Sequence, residues 1–266
     1  MKPSAIPVEF LTHLIFAFAF VSDGDFRITN MPDVPAKAFG EVTDMKQKNP
    51  NMKVLIALGG WTFNDPGPNQ MTFSNAASTA ANRKKFINNL MGFMSQYGFD
   101  GADIDWEYPG AEDRGGREDD GVNFTKLLQE MKAVFGKRYL LTFTAPTSYW
   151  YLRHFDIQKT SEAVDWINLM SYDLHGIWDR DNPIGAQVLG HTNLTEVDMA
   201  LDLLWRNSVE PDKVVLGIGF YGRSFKLEDS KCNKPGCPFA GPGDKGPCSG
   251  EGGFLTYKGN PNEPYA

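Results

Sequence analysis

Apolar runs of strand length alternate with amphipathic helical patterns along most of this chain, and that alternation restricts the fold more than any other feature. Six runs read as strands: 13–21, 54–60, 101–107, 139–145, 166–172 and 214–221. Most are continuous stretches of β-branched and aromatic residues, as expected of strands buried on both faces. Between them, residues 82–97 place Phe86, Leu90, Phe93, Met94 and Tyr97 on one stripe. Residues 122–135 do the same with Phe124, Leu127, Leu128, Met131 and Phe135, and Gly136 follows as a helix-ending residue. A third helix is expected over 196–207, opened by a capping pair of Thr195 and Asp198. Strand–helix alternation with short connections implies a parallel sheet in one α/β domain. The 266 residues match the roughly 250 that a (β/α)8 barrel needs.

Within the third run, Phe99-Asp100-Gly101-Ala102-Asp103-Ile104-Asp105-Trp106-Glu107-Tyr108-Pro109-Gly110, three carboxylates stand two residues apart. On a strand, Asp103, Asp105 and Glu107 share one face, and Ile104 and Trp106 point to the other. Packing alone would not stack three like charges, because the middle one repels both neighbours. A solvated face fits badly beside Ile104, Trp106 and Phe99. The row therefore reads as an acid–base device. Asp100 has the opposite parity and reads as structural.

Other features mainly exclude functions. The net charge of −7 argues against nucleic acid or an anionic membrane as partner. Residues 10–21 are apolar and follow Lys2, but they are too short to span a membrane and alternate large residues with Ala17 and Ala19, so they read as a strand rather than a leader. The three cysteines, Cys232, Cys237 and Cys248, lack zinc-ligand spacing and point to a local disulfide with one thiol left over. The four histidines show no metal-ligand spacing, and no metal or cofactor is expected. Aromatic residues make up 13% of the chain, a surplus that suits either a core or stacking on sugar rings. Asn123-Phe124-Thr125 and Asn193-Leu194-Thr195 are glycosylation sequons.

The spacing Asp100-x-x-Asp103-x-Asp105-x-Glu107 followed by Tyr-Pro resembles the signature of glycoside hydrolase family 18, the chitinases. Further segments are similar in order to that family's strands: Thr12-His13-Leu14-Ile15-Phe16-Ala17-Phe18-Ala19, Ala57-Leu58-Gly59-Gly60-Trp61, Leu169-Met170-Ser171-Tyr172-Asp173 and Phe220-Tyr221-Gly222-Arg223-Ser224-Phe225. Around them, Ala111-Glu112-Asp113-Arg114-Gly115-Gly116-Arg117 and Tyr172-Asp173-Leu174-His175-Gly176-Ile177-Trp178-Asp179 look like fungal class V chitinases, in the group related to killer-toxin subunits. The resemblance implies a TIM-barrel fold lacking its first and last strands, with residues 226–266 starting an inserted loop region.

The resemblance also implies a reaction, hydrolysis of β-1,4 bonds in chitin or chitooligosaccharides with the substrate's own acetamido group as nucleophile. Glu107 would be the general acid, Asp105 the partner of the acetamido N–H, and Asp103 the support of Asp105. Tyr172 would donate to the acetamido oxygen. Trp61, Tyr108, Met170, Asp173, Trp178, Tyr221 and Arg223 would line the sugar subsites, with Trp61 and Trp178 stacking on pyranose rings. Gly59 and Gly60 would let backbone approach the site. The implied protein is a secreted monomer. The alternatives are a chitin-binding lectin on the same barrel and an inactive truncated fragment.

Overall fold

A computed structural model describes residues 3–257. By its internal contacts the chain divides into two compact units. The first comprises Met1–Ala145, Tyr149–Asn168 and Trp205–Val215; the second comprises Pro146–Ser148, Leu169–Leu204 and Leu216–Ala266.

The main sheet has seven strands: β1 (His13–Val21), β2 (Ile28–Asn30), β3 (Lys53–Gly59), β4 (Gly101–Asp105), β5 (Leu140–Pro146), β6 (Trp166–Met170) and β7 (Val214–Leu216). Their order is β2-β1-β3-β4-β5-β6-β7. Strand β3 pairs in parallel with β1 and with β4, and β4 in parallel with β5. The short β2, which the periodicity does not reveal, adds antiparallel to the outer edge of β1. Residues 54–59 and all of β4 are buried, consistent with strands covered on both faces. This is the α/β, TIM-barrel type of core that the alternation implies.

The helices follow from the stripes. Helix α1 (Lys37–Thr43) and helix α2 (Thr72–Ser78) are short segments without a sequence signal strong enough to expect them. Helix α3 (Ala80–Tyr97) buries Phe86, Ile87, Leu90, Phe93 and Met94. The Thr79 hydroxyl accepts the Asn82 N–H at its start, and Gly98, at φ 78°, closes its end. Helix α4 (Asp120–Phe135) buries Phe124, Leu127, Leu128, Met131 and Phe135 and stops at Gly136. Helices α5 (Tyr149–Leu152) and α6 (Ile157–Glu162) also belong to the first unit.

Several expected boundaries shift. The run 101–107 is a strand only to Asp105, so Glu107 lies past its end. The run 166–172 ends at Met170, which puts Tyr172 in the following loop. The run 214–221 breaks after Leu216, and Tyr221 starts a separate strand. Helix α7 (Leu194–Arg206) begins two residues before its expected start. Its cap is not the Thr195–Asp198 pair: the Asn193 carboxamide oxygen accepts the Thr195 N–H at 3.0 Å.

In the second unit, the Gly- and Pro-rich segment after residue 225 carries more regular structure than an inserted loop would. Strand β8 (Tyr221–Arg223) pairs antiparallel with β11 (Phe254–Thr256), and β9 (Phe225–Leu227) with β10 (Phe239–Pro242). Aromatics at 225, 239 and 254 supply the packing that glycine and proline cannot. Residues 258–266 of that expected segment lie outside the described residues. Cys232 and Cys237 form a disulfide, and Cys248 is a free, exposed thiol. The start of α7 is held by His175, whose ring nitrogens reach Asp179 at 2.8 Å and Glu196 at 2.9 Å.

The two sequons separate by burial. Asn123 is buried in α4, with its amide donating to Asp119 at 2.9 Å. Asn193 is exposed at the start of α7. Secreted from a glycosylating host, the chain should carry a glycan on Asn193 and none on Asn123; peptide mapping that finds Asn123 occupied contradicts this fold.

Candidate functional site

The carboxylate row is assembled in the first unit. Asp103, Asp105 and Glu107 are only 3%, 5% and 7% exposed. Ile104 in β4 and Trp106 just past its end pack on the apolar side. There Trp106 stacks on Phe73 at 5.6 Å and meets the edge of Phe124 at 5.5 Å. That aromatic layer anchors the strand so that its charged face cannot turn to water.

Each aspartate is satisfied from neighbouring strands. One Asp103 oxygen accepts from the Thr142 hydroxyl at 2.5 Å and from the Asn168 amide at 2.9 Å. Asn168 is itself oriented by the Trp166 indole N–H at 2.9 Å. Asp105 accepts from the Thr144 hydroxyl. Burial raises Asp103 above the usual carboxylate range, with the two hydrogen bonds pulling it back. Asp105 is pushed up further, by burial first and then by the charges of Glu107 and Asp103. The row therefore keeps a proton to higher pH than separate carboxyls would. Asp100 does serve as a tie: its carboxylate accepts from the Val54 N–H at 2.8 Å and from Lys46 at 3.0 Å.

Main-chain contacts fix the end of the row. The Glu107 N–H donates to the Asn64 carboxamide oxygen at 3.3 Å, and its carbonyl accepts from Arg114 Nε at 3.1 Å. Gly60 N–H donates to the Asp105 carbonyl at 2.9 Å. At Gly59, φ is 107° and a Cβ would fall 2.2 Å from the Asp105 carbonyl oxygen, so only glycine fits this close approach. Tyr108 is buried, stacks on Tyr151 at 4.3 Å, and is raised above the usual phenol range by burial and then by Glu107 and Asp105. Trp61 is 48% exposed, with the Arg114 guanidinium 3.7 Å from its ring centre.

The second unit gathers the other expected residues. Asp173, at φ 56°, accepts from the Tyr221 hydroxyl at 2.6 Å on one oxygen and from Arg223 Nε at 2.8 Å on the other. Tyr221 is pushed up by burial and then by Asp173. The Asp173 N–H points at His191 Nδ1 at 3.2 Å, and His191 Nε2 faces the Tyr221 carbonyl at 3.1 Å. The tautomer with its proton on Nε2 satisfies both contacts at once. Arg223 also lies 4.9 Å from the Trp178 ring centre, and the Tyr172 ring meets Tyr221 edge-on at 6.2 Å. A Cβ on Gly217 would sit 2.7 Å from the Tyr172 ring, so glycine is required there. Met170 is partly exposed at the end of β6.

Sequence reasoning missed Thr142, Thr144, Asn168, Asn64 and Arg114. The two threonines did leave a signal, as polar residues two apart in an apolar strand. Arg114 stood in a quoted motif segment, but its role did not show, because two of its partners, Trp61 and Asp65, are about fifty residues away. Among the described residues, no group of three or more His, Cys, Asp or Glu is placed to hold a metal ion, and no helix is long and apolar enough to cross a membrane.

Comparison with known proteins gives the family. The profile described as Glycosyl hydrolases family 18 matches residues 2–264. The chain belongs to glycosyl hydrolases family 18. Among the relatives it matches, "Secreted chitinase LysM12" of Penicillium expansum is 34% identical over 92% of this chain and 17% of that protein. "Killer toxin subunits alpha/beta" of Kluyveromyces lactis is 35% identical over 90% of this chain and 20% of that protein. The chain thus spans a fifth or less of these two fungal relatives. The crystal structure of Ostrinia furnacalis Group IV chitinase in complex with allosamidin superposes with a TM-score of 0.85 at 31% identity, covering 97% of this chain and 71% of that one. The fungal, killer-toxin-related likeness expected from the motifs is borne out.

The pKa of Asp105 carries a stability consequence for this family 18 chain. A carboxyl raised in the folded state favours folding below its unfolded pKa and loses that contribution as pH rises through its folded value. Asp105→Asn removes the cost of ionising a buried carboxyl. The variant should gain stability relative to the parent as pH rises from about 4 to about 8, by at least about 1 kcal/mol at the upper end. Thermal melts that show a constant or shrinking difference would refute the assignment.

Proposed function

We propose that this chain hydrolyses β-1,4 bonds between N-acetylglucosamine units in chitin, with retention of configuration, through the substrate's acetamido group. The observation that carries the reading is the buried row Asp103–Asp105–Glu107, in which burial and like charge raise Asp105. In this reading Glu107 gives its proton to the glycosidic oxygen as the C–O bond breaks. The acetamido oxygen attacks the anomeric carbon, and the resulting oxazolinium keeps its N–H on Asp105. Water then opens the ring and returns a proton to Glu107. Asp103 orients Asp105, and no cofactor takes part. The roles that the resemblance implies for Tyr172 and for the Asp173, Tyr221 and Arg223 group belong to the same proposal, as do sugar stacking on Trp61 and Trp178, an extracellular location and a monomeric state. The Cys232–Cys237 disulfide supports the location.

Release of a chromophore from a chitooligosaccharide tests the chemistry. Glu107→Gln should lower turnover at least about a hundredfold while sugar binding persists. A chromogenic sugar lacking the 2-acetamido group should not be cleaved. Unchanged turnover in Glu107→Gln sinks the assignment of the acid, and cleavage of the second substrate sinks the neighbouring-group route. A parent chain that binds the sugar without turning it over would favour the lectin alternative.

A further inference from the structure

Arg114 uses its whole guanidinium on two loops. Nε donates to the Glu107 carbonyl at 3.1 Å, one terminal nitrogen donates to the Trp61 carbonyl at 2.5 Å, and the other pairs with Asp65 at 3.0 Å. Its plane also covers the Trp61 ring, 3.7 Å from the centre. The side chain is only 6% exposed, whereas Trp61 is 48% exposed. A buried cation thus covers the Trp61 ring, the Tyr108 ring meets it edge-on at 6.5 Å, and about half of the residue stays exposed.

The chain goes to some length to deliver this one side chain. Arg114 ends a short 3-10 turn, Glu112–Arg114, that closes through Gly115 at φ 74°. Gly116 N–H then donates to the Ala111 carbonyl at 2.7 Å, and a Cβ on Gly116 would fall 2.3 Å from the Ala111 nitrogen. The loop's two ends are tied to one buried carboxylate, Asp120, which accepts from the Arg117 N–H at 2.7 Å and the Gly110 N–H at 3.3 Å. Ser74 donates to the same oxygen at 2.7 Å. The loop is therefore pre-set, and Arg114 enters its slot without ordering cost at the moment of binding.

We propose that Arg114 is a positioning residue that couples the open face of Trp61 to the placement of Glu107. It touches no reacting atom. It holds the Trp61 indole in one orientation by stacking and by its carbonyl, and through Nε it holds the peptide that carries Glu107. A lysine keeps the charge but has neither the plane nor the fork, so it cannot do both. The proposal rests on the reading of Trp61 as a sugar platform and of Glu107 as the acid.

The test begins with a readout that needs no sugar. In protein labelled with 5-fluorotryptophan, the Trp61 resonance is identified by its loss in Trp61→Phe. Arg114→Lys should shift it, and Asp65→Asn, which removes only a half-exposed partner, should shift it less, with the other tryptophans unmoved. Binding follows, in a Glu107→Gln background with chitotetraose as the probe. Arg114→Lys should weaken it about tenfold, and that loss should fall below about twofold when Trp61→Ala is also present. With Glu107 intact and Trp61→Ala present, Arg114→Lys should still lower kcat several-fold at unchanged KM. An unmoved fluorine resonance, or a tenfold loss that persists in Trp61→Ala, overturns the coupling to Trp61. An unchanged kcat overturns the coupling to Glu107. If Arg114→Lys does not fold, Asp65→Asn decides through the same spectra and the same cycle. A parent chain that neither binds nor cleaves chitotetraose defeats the functional reading, and the fluorine spectra then judge Arg114 on their own.

Discussion

The site in the first unit depends on keeping three carboxyls out of water along β4 and just past its end. An isolated buried carboxylate is costly, and neighbouring charges make it worse. The fold meets the cost with hydroxyl and amide donors from β5 and β6: Thr142 and Asn168 on Asp103, Thr144 on Asp105. Register makes this possible, because Asp103 sits directly opposite Thr142 in the β4–β5 ladder. A one-residue slip would replace both threonines by apolar neighbours and turn the row toward the aromatic layer. The sheet register is thus set by polar satisfaction on one face and by Trp106, Phe73 and Phe124 on the other.

The site illustrates the usual conflict between stability and activity. Asp105 is placed where ionisation is unfavourable, and Gly59 holds a positive φ against the Asp105 carbonyl. Neither feature serves packing. Both concentrate where the chemistry is proposed, and the surrounding helices, with their large buried stripes, carry the stability that these positions give up.

Much of this was legible in the sequence. The period-2 spacing of 103, 105 and 107 announced a one-faced row, and the helical stripes around Phe86 and Phe124 announced α3 and α4. Strand ends were less legible, since apolar residues continue past the last ladder hydrogen bond: Trp106 and Tyr172 look like strand residues and are not. The pairing of 221–223 with 254–256 was hidden by a Gly- and Pro-rich composition that suggested loop. The role of Arg114, seen only as part of a motif segment, was hidden for a different reason. Its importance lies wholly in contacts with residues 61, 65 and 107, which only the fold brings together.

The covered indole has a geometric corollary. A flat plate open on one side accepts a ring from a single direction. In a β-1,4-linked chain, successive sugars are turned over relative to each other, so neighbours show opposite sides to any such plate. On the proposed reading of Trp61 as a sugar platform, contacts made in this way would count the polymer two units at a time.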